Sequence, residues 1–99
     1  MNKNYDNLDK AFENKVRLGI MSVLMTDDQV SFGDLKTTLK LTDGNLASHL
    51  KALEKLNYIA VIKSFIGRKP NTKYTANKLG ISAFKKHITA LENILKSIK

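Results

Sequence analysis

The stretch from Leu41 to Ala76, LTDGNLASHLKALEKLNYIAVIKSFIGRKPNTKYTA, decides the fold. Thr42 is a good N-cap, and the helix it opens runs to about Asn57. Leu46, Leu50, Leu53 and Leu56 fall on one side of that helix at i, i+4, i+7 and i+10. Gly44, Ser48, Lys51 and Lys55 line another side at nearly the same spacing. Tyr58 to Ile66 is rich in β-branched and aromatic residues and reads as a strand. Gly67-Arg68-Lys69-Pro70-Asn71 is turn chemistry, and Lys73-Tyr74-Thr75 reads as the returning strand. Pro70 cannot donate to a ladder, so it belongs in the loop or on an exposed edge.

Working toward the N-terminus, Ser31 caps a shorter helix that buries Leu35 and Leu39 and stops near Lys40, with Asp34 helping its exposed amides. Leu41 is a lone apolar residue in the tight connection that follows. Two short helices across a tight turn give a helix-turn-helix, and the hairpin directly after the second helix gives a wing. Val30-Ser31-Phe32 is a short candidate strand. Asn7 to Met25 reads as helix in one or two pieces. Leu8, Ala11 and Phe12 form a first stripe; Val16, Ile20, Met21, Leu24 and Met25 form the core helix. Asp27-Asp28 ends it.

At the other end, Ile81, Phe84, Ile88, Leu91, Leu95 and Ile98 recur at intervals of 3, 4, 3, 4 and 3. That is an a/d seam of under three heptads. At 1.5 Å per residue the helix is roughly 30 Å long, more than a core this small covers. The seam predicts self-association, with Leu8 and Phe12 adding to the contact. Gly80 interrupts helical propensity at the start and sets the helix's angle.

The composition bounds the alternatives. Ninety-nine residues make one domain, with residues 1–78 as the compact part and 79–99 as the dimerisation helix. There is no cysteine, which excludes disulfides and thiolate metal sites and fits a reducing, cytoplasmic setting. The longest apolar run is far too short to span a bilayer, and no hydrophobic leader precedes it, so no membrane partner is expected. Residues 1–41 hold six Lys/Arg and six Asp/Glu, residues 42–78 seven against two, and residues 79–99 four against one. The excess of the total +8 therefore lies beyond residue 41 and suggests a phosphate-binding face.

These features resemble the winged-helix transcriptional regulators of the MarR and ArsR kind, in their short single-domain form. The resemblance runs from about Asn14 to Gly80. It rests on Val16-Arg17-Leu18-Gly19-Ile20, on Leu46 to Leu56 (LASHLKALEKL), on Tyr58-Ile59-Ala60, on Gly67-Arg68 in the wing and on Tyr74-Thr75 opening the last helix. It implies a mainly α fold with a small β-hairpin, a homodimer and double-stranded DNA as partner. The metal sensing of some ArsR-like proteins does not carry over, because cysteines and a paired His/Asp cluster are absent from the sequence.

Within that reading, Thr42, Gly44, Asn45, Ser48, Lys51 and Lys55 are the helix contacts. Gly44 permits close approach, Asn45 can read adenine, and Ser48 can bond base or phosphate. Asp43 suits the helix dipole but is awkward beside phosphate. His49 lies between the faces, either on a phosphate or packed at the helix boundary; it resembles the histidine in the Ser-x-His-Leu stretch of ArsR-like helices. Arg68 and Lys69 suit phosphate or minor-groove contact, and Lys73 adds field. His87 is expected at the surface. No Ser/His/Asp order, phosphate loop or metal spacing points to an enzyme, and no cofactor is implied. The competing reading is a winged-helix module that binds another protein. No residue cluster suggests an effector pocket.

Overall fold

The computed structural model describes residues 3–98. In chain order it runs α1 (Lys3–Asp6), a 3₁₀ turn (Lys10–Glu13), α2 (Lys15–Thr26), β1 (Val30–Ser31), α3 (Phe32–Leu39), α4 (Asp43–Lys55), β2 (Ile59–Ile66), β3 (Lys69–Ala76) and α5 (Lys78–Lys96). The sheet is antiparallel with order β1-β3-β2. This is a winged helix: a helix-turn-helix of α3 and α4, and a wing of β2 and β3.

The helix expected over residues 7–25 is broken in two places, each at a short polar side chain. Asp9 Oδ1 accepts from the Ala11 amide at 2.9 Å, and Asn14 Oδ1 accepts from the amides of Val16 and Arg17 at 2.9 and 3.1 Å. Such side chains offer the backbone an alternative to continuous helix, and here both act as caps. Past Asn14 the chain is apolar enough to run inward, and α2 buries Ile20, Met21 and Leu24.

The α3–α4 turn is closed by a left-handed residue, Lys40 (φ 55°), with Leu41 N–H bonding Lys36 O and Lys40 N–H bonding Thr37 O. This is a Schellman ending, and it explains the lone Leu41: the apolar residue after the left-handed position packs back on its helix. Asn57 (φ 60°) repeats the device after α4, with Tyr58 N–H on Leu53 O and Asn57 N–H on Glu54 O. Leu46, Leu50 and Leu53 are buried as expected; Leu56, at the C-cap, is exposed and leaves the stripe.

Two expectations about the wing need correction. The connection is shorter than residues 67–71: Lys69 and Pro70 already lie in β3, paired with Ile66 and Phe65. Gly67 has φ 63° and Arg68 has no positive φ, the pattern of a type II′ two-residue turn. Pro70 is tolerated because β1 reaches only Tyr74 and Lys73, leaving the other edge of β3 unpaired at Pro70. Tyr74 and Thr75 also belong to β3, so the last helix opens at Lys78.

The helix α5 docks by a stripe of Gly80, Phe84, His87 and Ala90. A Cβ at Gly80 would overlap the Tyr58 carbonyl oxygen and come within 2.7 Å of its carbon. The same carbonyl accepts the Asn77 amide at 2.9 Å, so backbone meets backbone where α5 begins. Phe12 is the hub of the aromatic cluster beneath, 5.2 Å from Phe84, 5.6 Å from Tyr58 and 5.4 Å from the His87 ring.

His87 is not at the surface. It is 5% exposed, and its Nδ1 accepts the Asp9 amide at 2.9 Å. The Asp9 carboxylate in turn accepts the Tyr58 hydroxyl at 2.7 Å. Burial, followed by that bond and the Asp9 charge, pushes the Tyr58 hydroxyl up to about 12. This small network fastens the N-terminal segment to β2 and α5 and satisfies each buried polar group it uses.

Candidate nucleic-acid interface

The helix α4 turns its leucines inward and leaves the opposite side bare. Its cap is made by Thr42 Oγ1, which accepts the Asn45 amide at 3.2 Å. Thr42, Gly44, Asn45, Ser48, Lys51 and Lys55 are all exposed, and Gly44, Ser48, Lys51 and Lys55 share one side of the helix by their spacing. Gly44 has nothing within 4 Å of where a Cβ would stand. No packing among the described residues accounts for a glycine there.

Asp43 pairs with Lys36 at 2.9 Å across the turn. Both partners are exposed, so the pair adds little stability, but it draws the carboxylate toward α3. His49 is half-buried rather than free. The Arg17 Nε–H donates to its Nδ1 at 3.3 Å, linking α4 to the core helix. Burial first, and the Arg17 charge second, hold the imidazole below its ordinary pKa. Both alternatives for His49 therefore retain something: the ring edge at Nδ1 faces Arg17, and the side chain lies at the margin of the open face. Arg17 is a residue that the sequence reading did not single out at this site.

The wing carries Arg68 and Lys69 fully outside, whereas Lys73 is half-buried, paired with Ile62 and Ser31 in the sheet. Residues 55–91 contain eight Lys/Arg and no Asp or Glu, so no carboxylate within the wing offsets its cations. Also missed were Phe65 and Ile66, 73% and 68% exposed beside the turn. Their residue types mark a strand, and only the short reach of β1 shows that this part of the strand leaves the core.

The expected interface residues divide. Leu91, Leu95 and Ile98 are exposed, Leu8, Ile81 and Ile88 are half-buried, and Phe12 and Phe84 are buried in their own chain's core. The last two are thereby removed from the expected contact surface, because both belong to the aromatic cluster. The N-terminal α1 lies against α5, with Asn93 Nδ2–H donating to Asn4 Oδ1 at 3.2 Å.

Among the described residues, no group of three or more His, Cys, Asp or Glu could hold a metal ion, and no helix is long and apolar enough to cross a membrane. The sequence pattern of the winged helix DNA-binding domain matches residues 16–95. An uncharacterized protein of Methanocaldococcus jannaschii is 36% identical over 90 residues, 91% of this chain and 98% of that protein. A transcriptional regulator homologue from Pyrococcus horikoshii has a similar structure, with TM-score 0.87 and 28% identity over 97% of this chain and 96% of that one. A MarR-family regulator from Enterococcus faecalis shares the fold at TM-score 0.75 and 19% identity, over 88% of this chain and 77% of that one.

Proposed function

Because the chain belongs to the winged helix DNA-binding domain family, we propose that it is a homodimeric transcriptional regulator that reads specific sequences in duplex DNA. The start of α4 enters the major groove, with Gly44 allowing close approach and Asn45 and Ser48 reaching base edges. Lys51 and Lys55 follow the phosphates. Arg68 and Lys69 hold flanking backbone or the minor groove. The exposed end of α5, at Leu91, Leu95 and Ile98, pairs with its copy and sets two α4 helices on a two-fold site.

The observation that carries this reading is the bare polar face of α4 opposite fully buried leucines, beside a wing without carboxylates. Each phosphate neutralised releases counterions, so log affinity for duplex DNA falls by about 0.9 per contact for each unit of log salt. A titration of duplex affinity against salt tests it. A steep negative slope is expected; a flat response favours the protein-binding module instead.

A further inference from the structure

Resting on the DNA-binding reading, we infer that the tip of the wing is an apolar wedge that opens a base step of the duplex and bends it. Because β1 pairs only with Tyr74 and Lys73, the hairpin beyond them is a two-stranded arm, and residues 63–70 are all exposed. At its end stand Phe65 and Ile66, 73% and 68% exposed. Consecutive strand residues point to opposite faces, so the tip is apolar on both sides of the ribbon. Phe65 faces Pro70 across the strands, and Ile66 faces Lys69.

Nothing among the described residues covers this pair, and a solvated turn needs neither residue. Single exposed apolar residues are ordinary; two large ones, adjacent, at the end of a projecting arm are not. Their surroundings choose the occupant. Arg68 sits in the turn, Lys69 opposite Ile66, and Lys63 two residues before Phe65 on the same face. Apolar tips ringed by cations suit a stacked, anionic polymer: the cations take the flanking phosphates while Phe or Ile enters between bases, unstacks them and kinks the duplex. Two copies of the same tip would instead bring Arg68 and Lys69 against their own kind, which opposes association through the wings.

The test uses a bound duplex, selected from random DNA, labelled with donor and acceptor dyes at its ends and with 2-aminopurine at successive steps. Wild-type protein is expected to raise energy transfer as the ends approach, and to brighten 2-aminopurine at one step as stacking is lost. Flexible TA or CA steps at that position should bind better than a stiff A-tract. Phe65→Ser combined with Ile66→Ser should abolish both signals and the step preference, yet keep the salt slope, because the phosphate contacts remain. Circular dichroism and the thermal midpoint of this variant should match wild type, since both side chains lie in solvent. Steep salt-dependent binding without bending or brightening in the wild type overturns the wedge and leaves the DNA reading standing. Bending that survives the double substitution overturns it as well. A changed sedimentation state in the double variant assigns the tip to a second copy and also overturns it. Absence of salt-dependent binding removes the proposed function and the wedge together.

Discussion

Three helices of this chain carry a glycine in the first turn, Gly33 in α3, Gly44 in α4 and Gly80 in α5, and the last two stand in opposite surroundings. Gly80 in α5 is pressed against the Tyr58 backbone, where any Cβ collides. Gly44 in α4 faces open space, where a Cβ would touch nothing. One helix start is fixed by what lies beneath it. The other, like that of α3 at Gly33, meets no packing among the described residues. The contrast separates residues that build the fold from residues that use it, and it continues along α5 itself: Gly80, Phe84, His87 and Ala90 face the domain, while Leu91, Leu95 and Ile98 face away.

The largest effects should come from forcing either end of α5. Leu95 is 66% exposed, so Leu95→Glu leaves the isolated fold intact, and its charge would be buried only if a partner covers that position. Breaking such a contact with an unpaired charge typically costs about 3–5 kcal/mol. Sedimentation of wild type and variant at one concentration should show a dimer becoming a monomer; a wild type already monomeric removes the dimer from the proposal. Ile88 is a poorer probe, since it also packs against its own core. Gly80→Ala should act on folding instead. Overpacking against backbone costs about 1–3 kcal/mol and sometimes more, so the thermal midpoint should fall by several degrees, at about 4–8 °C per kcal/mol for a domain of this size. A midpoint equal to wild type would mean that α5 can slide away from Tyr58.

At α4 the same kind of substitution should have the opposite sign. Asn45→Ala should leave stability nearly unchanged and lower discrimination between a selected site and random duplex by about 1–3 kcal/mol, the worth of a good base contact. Gly44→Ala should raise stability by about 0.4–1 kcal/mol, because alanine fits an open helical position and restricts the unfolded chain. It should nonetheless weaken duplex binding, since the added methyl stands where the helix approaches its target. Denaturant midpoints and anisotropy titrations of the one variant measure both. Higher stability with unchanged binding would place the start of α4 away from the DNA.

What was legible in the sequence follows the same division. The helix-turn-helix and wing could be read because their signals are local: the Thr42 cap, the spacing of Leu46, Leu50 and Leu53, and the glycine before Arg68. The burial of His87 was not legible, because its partner Asp9 is 78 residues away. The heptad seam was legible as a period but not as a direction. The domain takes a stripe offset by one residue at Gly80, His87 and Ala90, built from residue types that hydropathy underrates, and this leaves the later leucines outside. Phe65 and Ile66 looked like any strand interior, since the reach of β1 depends on tertiary pairing rather than on their own neighbours. The exposed polar face of α4 was legible from the spacing of Gly44, Ser48, Lys51 and Lys55, although Arg17 entered only once α2 was seen beside His49.

His49 joins the two kinds of region and gives the smallest but most diagnostic effect. Its lowered pKa means that, below about 6.5, the ordinary value for histidine, the unfolded chain binds a proton more readily than the folded one. Stability therefore rises with pH in this window and is lost as pH falls from the unfolded value through the lowered one. Protonation at Nδ1 would also break the bond from Arg17 and set two cations together. Binding should respond in the other direction if His49 lies against phosphate. Bound DNA favours the charged ring, so the complex takes up a proton and affinity increases on acidification. The comparison is wild type against His49→Gln between about pH 5.5 and 7.5 (a range of about two units around the ordinary histidine value), with unfolding and duplex affinity followed in parallel. Acid should cost wild type slightly more stability than the variant while helping its DNA binding more. If only the stability difference appears, His49 is a bracket between α4 and α2 and makes no contact with the phosphate backbone.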